Sequence, residues 1–382
     1  MKIIAFMGYR QPAIRTAKQL GFSIIVWSNK PIPFSVRESL VAYYISEFPT
    51  SEEKLSSAVI NFFQAFNVDC FIALTEAGVI ATALLKQVFH HPVNIEKIKA
   101  CHDKFLMKTL AKNYHIPITD FQLLTKDLNT QEIFIKWGTP VYAKPRASSG
   151  SRNLYITNHQ VELEPLINKN FLIEQAIKGI EMSVEFFICS QQIIFLNLTE
   201  YYKTLEINII PGPNHLVNQT ELTNLITRMM KAFELNNTIV HMEFFKTPLG
   251  LVIGELAIRP PGGYLMEAIE KAYGFNPWQT LIEINLNQTP FIKTTATHYV
   301  AVWVFHPGAG KITAIEGLAE LKKLPSFESI HLKKKVGDLI KTRKGTGEDV
   351  AKLLFVNNSY QALIHDLEIA KAHFKITQIN NF

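Results

Sequence analysis

The stretch IVHMEFFKTPLGLVIGELAIRPPGG, residues 239–263, has the pattern of a β-hairpin that carries two acidic side chains. Apolar residues flank Glu243 and Glu255, and the turn-type sequence TPLG separates the two β-patterned segments. Because the separation of the two glutamates along the chain is even, a hairpin with a five-residue loop over 247–251 places them directly opposite each other on one face. The apolar neighbours favour a mostly buried hairpin over a solvent-facing acidic pair.

Two carboxylates that lie this close need a cation between them, because their negative charges repel each other. Mg²⁺ suits the position, since it prefers oxygen ligands and is commonly held by one or two carboxylates together with substrate phosphates. Arg259 follows in the Pro-Pro-Gly-Gly loop, where its guanidinium group can neutralise a phosphoryl group or a carboxylate. Ala257 occupies a position at which a third oxygen ligand would be useful. The stretch therefore predicts a metal site.

The composition indicates a globular protein with two or three domains. The 382 residues include 47% hydrophobic and 19% charged residues, and the longest apolar runs, such as YVAVWVF at 299–305, are far too short to span a bilayer. The first ten residues predict a buried strand rather than a signal peptide. The three cysteines, Cys70, Cys101 and Cys189, lack the spacing of a zinc site or a disulfide framework, which indicates a reducing cytoplasm.

The formal net charge of +6 is modest for this length, and its densest part is HLKKKVGDLIKTRKG at 331–345. No aromatic residues interleave with these lysines, and no nucleic-acid-binding motif accompanies them. Lysines commonly protect the edge strands of sheets. We therefore predict a solvated strand–turn–strand edge here and no nucleic-acid partner.

The order of patterns along the chain predicts three regions, 1–95, 96–295 and 296–382. The first alternates strand-like runs with helical spacing, which is typical of a small parallel α/β unit. A tight turn at Gly8 follows its first strand without a G-x-G-x-x-G pattern, so we interpret this unit as a scaffold. The second begins with the helical NIEKIKACHDKFLMKTLAKNY, continues with strands and includes a further helix at about 220–235. The third is strand-rich.

Two further segments contain side chains that suit a nucleotide. In VYAKPRASSGSRNLYI, Lys144 ends a strand, and the small-residue loop after it can wrap its backbone N–H groups round phosphates. In FLIEQAIKGIEMSVEFF, Glu174 follows a strand-like run, and Glu181 is placed to accept both hydroxyls of a ribose. Taken singly, an ordinary hairpin and two surface glutamates explain these segments at least as well. His102 and His241 have no second histidine at ligand spacing, so we interpret them as packing residues or as support for other ligands.

Taken together and in this order, the segments resemble the ATP-grasp superfamily, and within it the carboxylate–amine ligases of the L-amino-acid ligase and biotin-carboxylase-like groups. The resemblance covers about 160 residues, from HDKFLMKTLAKNYHIP to RPPGG. It implies an α/β (α+β) ATP-grasp fold in three parts. These would be a Rossmann-like N-terminal domain over 1–95, a catalytic domain over 96–295 and a small β-rich C-terminal domain over 296–382.

The resemblance also implies which residues bind ATP. Lys104 and Lys144 would contact the phosphates, and Glu181 would hold the ribose. The loop that covers the phosphates would consist of Ala147, Ser148, Ser149, Gly150 and Ser151. The adenine site would be lined, partly through backbone groups, by Glu174, Gln175 and Ile177.

The metal positions come from the same resemblance. Glu243 and Glu255 would coordinate one or two Mg²⁺ ions, which Mn²⁺ could replace, and Arg259 would face the γ-phosphate and the acyl-phosphate. Many members have Asn where this chain has Ala257, so the ligands of a second metal stay open. Relatives of the aminoimidazole-ribonucleotide carboxylase type also have alanine there, and Ala257 does not by itself imply loss of activity.

The implied reaction joins a small carboxylate to an amine or amino acid. The carboxylate attacks the γ-phosphorus to give an acyl-phosphate and ADP, and the amine then displaces phosphate to form an amide-type bond. Lys203, in TEYYK, and Gly262–Gly263 lie where such ligases meet their substrate. Two alternatives stay open: a carboxylase-type enzyme that activates bicarbonate, and a nucleotide-binding protein without ligase activity. Relatives are commonly homodimers, and we expect no membrane partner.

Overall fold

The computed structural model describes residues 2–50, 53–345 and 347–379, which form four β-sheets with helices packed on them. The N-terminal strands are β1 (Ile3–Met7), β2 (Ser23–Ser28), β3 (Ala42–Ile45) and β4 (Cys70–Ala73). The helices of this unit are α1 (Gln11–Gln19), α2 (Phe34–Arg37), α3 (Ser57–Gln64) and α4 (Gly78–Val88). The strands pair in parallel in the order β3-β2-β1-β4, which the strand–helix–strand pattern predicts.

Two helices follow where the sequence has one continuous helical pattern, α5 (Ile95–His102) and α6 (Lys104–Asn113). The break lies at Asp103, whose backbone is extended, with φ −101° and ψ 116°. Its side chain accepts hydrogen bonds from the N–H groups of Phe105 and Leu106, at 2.9 and 3.1 Å. Asp103 therefore ends one helix and caps the N-terminus of the next, which fixes the direction of Lys104.

A small antiparallel sheet comes next. It consists of β5 (Phe121–Leu123), β6 (Val141–Pro145), β7 (Tyr155–Thr157) and β8 (Phe171–Gln175) in the order β5-β8-β6-β7. One α-helix, α7 (Thr130–Trp137), and a 3-10 helix (Gln160–Leu166) accompany this sheet. Val141, Ala143 and Ile173 belong to the core beneath it.

An eight-stranded sheet forms the centre of the molecule. Its first five strands along the chain are β9 (Ile180–Cys189), β10 (Gln192–Lys203), β11 (Ile207–Ile210), β12 (Thr238–Thr247) and β13 (Gly250–Ala257). The helices of this part are the short 3-10 helix Asn214–Leu216, α8 (Gln219–Phe233), α9 (Leu265–Tyr273) and α10 (Pro277–Asn285). The predicted helix at about 220–235 corresponds to α8.

The last part of the chain continues this sheet. Its strands are β14 (Tyr299–Phe305), β15 (Gly310–Glu316), β16 (Phe327–Leu332), β17 (Leu339–Ile340), β18 (Ala351–Asn357) and β19 (Lys375–Ile379). Its helices are α11 (Leu318–Leu321) and α12 (Tyr360–His373). The central sheet has the order β13-β12-β9-β10-β11-β14-β18-β16, and β17, β15 and β19 form a separate sheet. Since β11 pairs with β14, the sheet crosses residue 296, and the predicted three-domain division stays a prediction.

The lysine-rich segment lies at sheet edges, in agreement with the prediction. β16 is the last strand of the central sheet, and β17 is an outer strand of the three-stranded sheet. No helix among the described residues is both long and apolar enough to cross a membrane.

The two faces of the central sheet pack against different helices. Met182, Val184 and Phe186 of β9 belong to the core that includes α8. Phe187 and Cys189 belong to the core that includes α9, α10 and the N-terminal unit. Since side chains alternate along a strand, the second face also receives the polar odd-numbered residues of β9 and β12.

Candidate active site

The opposed glutamates form the centre of the site. Glu243 of β12 pairs with Glu255 of β13, as predicted, but the turn differs from the predicted five-residue loop. β12 ends at Thr247 and β13 begins at Gly250, and these two residues pair, so only two residues turn the chain. A regular ladder from that turn would place Gly254 opposite Glu243 and send Glu255 to the other face. A β-bulge absorbs Gly254 and brings the glutamates together.

The two carboxylates differ in their surroundings. Glu243 Oε1 accepts a 3.0 Å hydrogen bond from the Tyr201 hydroxyl and lies 3.5 Å from His241 Nε2. Burial works to raise the pKa of Glu243, but His241 and Tyr201 outweigh it and lower that pKa. Burial raises the pKa of Glu255; Lys104, 3.5 Å away, opposes the shift, and the negative charge of Glu243 adds to it. A cation between the carboxylates would relieve this repulsion, so the pair fits Mg²⁺.

Protein ligands for a metal are few. Among the described residues, no group of three or more His, Cys, Asp and Glu side chains is arranged to hold a metal ion. Ala257 pairs with His241 across the hairpin and contributes no oxygen. Glu243 and Glu255 would therefore hold Mg²⁺ together with phosphate oxygens, which is how this ion is commonly bound.

A buried polar network supports Glu243 from behind. Glu185 is fully buried, and His241 Nδ1 lies 2.8 Å from its Oε1. Its other partners, at 2.6–2.8 Å, are Ser183 Oγ, Asn197 Nδ2 and Thr199 Oγ1. Burial works to lower the pKa of His241, but hydrogen bonds to Glu185 and Glu243 raise it to about 9. The protonated imidazole therefore links the two carboxylates. Glu185 is absent from the sequence prediction, although its alternation with Glu181 and Ser183 places it on the same face.

Both predicted phosphate lysines are in contact with acidic residues. Lys104 Nζ donates to the Ser148 carbonyl at 2.8 Å and lies 3.5 Å from Glu255 Oε2. Lys144 Nζ donates to Glu174 Oε2 at 2.9 Å. Lys104 thus joins the predicted phosphate loop to the glutamate pair.

The predicted phosphate loop, Ala147–Ser151, connects β6 to β7. Gly150 and Ser151 have φ values of +67° and +57°, so the chain turns sharply there. A Cβ atom on Gly345 would lie 2.9 Å from the Gly150 carbonyl oxygen. The last part of the chain therefore packs directly against this loop.

The residues predicted to line the adenine and ribose sites lie on β8, on β9 and between these two strands. The Gln175 N–H donates to the Asp120 carbonyl at 3.0 Å, and its carbonyl accepts from Thr119 Oγ1 at 2.9 Å. Ile177 is half-buried between β8 and β9. Burial, and then the charge of Glu243, raise the pKa of Glu181 to about 7. Since the Gln175 N–H is already engaged, the backbone at Ile177 is the better candidate for pairing with a base.

Lys108 is a further member of the site that the sequence prediction lacks. It is completely buried on α6, one turn after Lys104, and its Nζ lies 3.5 Å from Glu174 Oε1. Glu174 is 2% exposed and therefore faces two lysines rather than solvent. The four-residue spacing from Lys104 puts both lysines on one helix face, and this is the signal that could have found Lys108.

Arg259 is held by a residue of the N-terminal unit. Its Nε donates to Glu76 Oε2 at 2.7 Å and its Nη1 to the Pro260 carbonyl at 3.0 Å. The other Glu76 oxygen lies 2.8 Å from His102 Nδ1. Burial works to raise the pKa of Glu76, but Arg259 and His102 outweigh it and lower that pKa to about 2. Glu76 therefore stays ionised and holds the guanidinium group of Arg259 in place. No sequence motif indicated Glu76.

The predicted substrate residues have other contacts than the ion pairs described above. Lys203 Nζ contacts Glu206 at 2.7 Å, and about half of its side chain is exposed. Gly262 is exposed, and a Cβ atom there would meet nothing within 4 Å. A Cβ atom on Gly263, which has φ +58°, would lie 3.6 Å from Asn208 Nδ2. The substrate roles of Lys203 and the two glycines stay predictions.

Comparison with known proteins identifies sequences that are similar to this chain. Residues 151–267 match the family model of the ATP-grasp domain. The chain is 24% identical over 352 residues to an L-arginine-specific L-amino acid ligase of Bacillus subtilis, covering 86% of this chain and 84% of the relative. It is 26% identical over 142 residues to a D-alanine–D-alanine ligase of Petrotoga mobilis, covering 36% of this chain and 43% of that enzyme.

Solved structures show the same fold over the whole length. An L-amino acid ligase from Bacillus licheniformis superposes with a TM-score of 0.80 at 16% identity, covering 100% of this chain and 99% of that one. An N5-carboxyaminoimidazole ribonucleotide synthetase from Thermotoga maritima superposes with a TM-score of 0.75 at 20% identity, covering 99% and 100%. The predicted fold class is thereby confirmed. Residues 151–267 thus match the ATP-grasp domain, and the chain as a whole is similar to the L-amino acid ligases in sequence and in fold.

Proposed function

We propose that this protein is an ATP-dependent carboxylate–amine ligase that forms an amide or peptide-like bond through an acyl-phosphate and releases ADP and phosphate. The observation that carries the proposal is the opposed pair Glu243 and Glu255. Lys104, His102 and Glu76, the partner of Arg259, line one small cavity with Glu255. Groups that suit a metal, phosphates and a transferring phosphoryl group thus converge at one end of the hairpin.

The residues act mainly by position and charge. Mg²⁺ held by Glu243 and Glu255 would neutralise phosphate oxygens. Lys104 and Lys144 would bind the phosphates, and Arg259 would stabilise negative charge as the substrate carboxylate attacks the γ-phosphorus and ADP leaves. The amine nitrogen then forms a bond to the acyl carbon, phosphate leaves, and the amine loses a proton. The loop Ala147–Ser151 would exclude water from the acyl-phosphate.

An amino acid as a substrate is supported by the relatives. The enzymes from Bacillus subtilis and Bacillus licheniformis, which this chain covers over most of their length, carry names that specify L-amino acids. The fold alone also fits a carboxylase-type enzyme that activates bicarbonate, because N5-carboxyaminoimidazole ribonucleotide synthetases share it. A nucleotide-binding protein without ligase activity is the third candidate.

Measuring the release of ADP separates these candidates. We expect ADP and phosphate to appear when Mg·ATP is supplied with pooled amino acids, and not when bicarbonate replaces the pool. Release that depends on bicarbonate would favour the carboxylase. Nucleotide binding without turnover in any mixture would favour a non-catalytic protein.

The metal assignment is tested by Glu255→Gln. Because the amide is a poor ligand for Mg²⁺, we expect turnover to fall by at least about 100-fold while adenosine still binds. Lys246→Met is the control, since Lys246 lies on the same hairpin, at its exposed far end. Normal turnover in the Gln variant would rule out the metal role of Glu255.

The cellular setting is part of the same proposal. Cys70, Cys101 and Cys189 are all free and buried, which suits the reducing cytoplasm predicted from the sequence. We also infer a homodimer, which the resemblance described from the sequence implies. Sedimentation of the purified protein tests the second point, and a monomer at all concentrations would exclude it.

A further inference from the structure

Lys108, Glu174 and Lys144 form a buried cluster of two cations and one anion. Glu174 lies between the two lysines, with Lys144 Nζ at 2.9 Å from Oε2 and Lys108 Nζ at 3.5 Å from Oε1. The lysines differ in exposure: Lys144 keeps 23% of its side chain accessible, whereas that of Lys108 is fully buried. Lys144 can therefore reach a ligand, whereas the buried Lys108 contacts Glu174.

Lys108 and Glu174 form a long ion pair, with 3.5 Å between Nζ and Oε1. Among the described residues, neither Lys108 Nζ nor Glu174 Oε1 has a hydrogen-bond partner, although both atoms are buried. Burial lowers the pKa of Lys108, and the negative charge of Glu174 opposes that shift. A buried ammonium group with unused donors is unfavourable, and an apolar side chain of similar size would commonly give a fold of equal or greater stability. Stability is therefore a poor explanation for a lysine at this position.

Binding of a nucleotide gives a better explanation. When the ammonium group of Lys144 turns toward phosphate oxygens, its interaction with the carboxylate of Glu174 becomes weaker. A buried carboxylate that loses its partner is strongly destabilised, because water does not reach it. Without a second cation, this loss would oppose the binding of phosphates by Lys144. With Lys108 behind it, the negative charge of the Glu174 carboxylate stays compensated.

We propose that Lys108 is a positioning residue for the nucleotide. It compensates the negative charge of Glu174 and thereby frees Lys144 to bind the phosphates of ATP. The inference rests on the phosphate role of Lys144 in the proposed function. It does not depend on which carboxylate or amine the enzyme joins.

Titration calorimetry with a non-hydrolysable Mg·ATP analogue, and separately with adenosine, tests this exchange of partners, in which Lys108 replaces Lys144 as the cation that compensates Glu174. We expect Lys108→Met to weaken binding of the analogue by roughly 10- to 100-fold, in line with the loss of one charge-assisted interaction. Adenosine should bind with a Kd within about twofold of the original, because no phosphate draws on Lys144. Lys112→Met is the matched control, since Lys112 lies one turn further on the same helix and is exposed. Equal weakening of both ligands would show that Lys108 only shapes the pocket, and would overturn the proposal.

A double-mutant cycle separates exchange of partners from a simple effect of positive charge. In Glu174→Gln, no carboxylate needs compensation, so adding Lys108→Met should leave the affinity for the analogue unchanged within about twofold. A long-range charge effect would instead weaken binding equally in both backgrounds, and that additive result would overturn the exchange. Lys108→Arg keeps the charge and should restore most of the affinity.

Two further measurements keep the result interpretable. The unfolding free energy of Lys108→Met should equal or exceed that of the original protein; a large loss would assign Lys108 a structural role and would count against the proposal. Lys144→Met tests the assumption beneath it. If that variant binds the analogue normally, the phosphate role of Lys144 fails. If it binds weakly while Lys108→Met binds normally, only the exchange fails.

Discussion

At the scale of single residues, Glu76 decides how Arg259 can act. Two of the three guanidinium nitrogens are engaged, one by Glu76 and one by the Pro260 carbonyl. A guanidinium group held in this way presents its charge in one direction, and reorganisation during phosphoryl transfer is small. His102 in turn holds the second oxygen of Glu76. The carboxylate of Glu76 therefore joins Arg259 to His102, and we expect it to position the guanidinium group.

Glu76→Gln tests this arrangement, because the amide keeps the shape of the side chain but removes its charge. We expect turnover to fall by roughly 10- to 100-fold, with nucleotide affinity nearly unchanged. Release of ADP and calorimetric binding of the nucleotide measure the two quantities. The control is Glu96→Gln, which alters an exposed surface pair with Lys99. Equal losses of turnover and nucleotide affinity would contradict a role through Arg259.

Glu181 gives stability a dependence on pH. Burial, and then Glu243, raise its pKa to about 7, so the folded state binds a proton more tightly than the unfolded chain. This contribution is fully present below the ordinary carboxyl pKa and is lost as the pH rises through about 7. Glu181→Gln lacks the titration. As the pH rises from about 5 to about 8, the unfolding free energy of Glu181→Gln should therefore increase by about 1–2 kcal/mol relative to that of the original protein.

Denaturant unfolding at several pH values measures this difference. The exposed Glu38→Gln variant should follow the original protein at every pH. Parallel curves for Glu181→Gln and the original protein would show that Glu181 titrates like an exposed carboxylate.

At the scale of elements, the bulge in the β12–β13 hairpin brings Glu243 and Glu255, the proposed metal ligands, to one face. The two-residue turn alone would put the glutamates on opposite faces, and the extra residue Gly254 corrects the register. A Cβ atom on Gly254 would lie 3.0 Å from Phe245 Cε2. Little space is therefore available for any side chain at the bulge.

Substitutions of Gly254 should destabilise the fold in proportion to side-chain size. We expect Gly254→Ala to cost about 1 kcal/mol and Gly254→Val about 2–3 kcal/mol of unfolding free energy, because the Phe245 ring must move. Gly262→Ala is the matched comparison for stability and should change it by less than about 0.5 kcal/mol, since its Cβ would meet nothing. A Val variant as stable as the original protein would mean that the ring adapts freely.

At the scale of the whole molecule, distant parts of the chain meet at the hairpin. Glu76 and Arg259 are 183 residues apart, and Arg10, whose Nη1 donates to the Pro261 carbonyl at 2.8 Å, is 251 residues from its partner. Gly345 packs against the carbonyl of Gly150 in the predicted phosphate loop. The N-terminal unit and the last part of the chain therefore both complete a site whose centre lies between them in sequence.

The sequence by itself determined the elements that depend on local pattern: the parallel N-terminal unit, helix α8, the edge strands of the lysine-rich segment and the opposition of Glu243 and Glu255. Periodicity and turn residues carry that information, and the order of motifs indicated the resemblance to ATP-grasp enzymes. Only the tertiary structure decided the two-residue turn with its bulge and the break at Asp103. It alone also supplied Glu76 and the partners of Lys108 and Glu185, because a buried carboxylate or lysine is defined by partners far along the chain, and no local pattern names those partners.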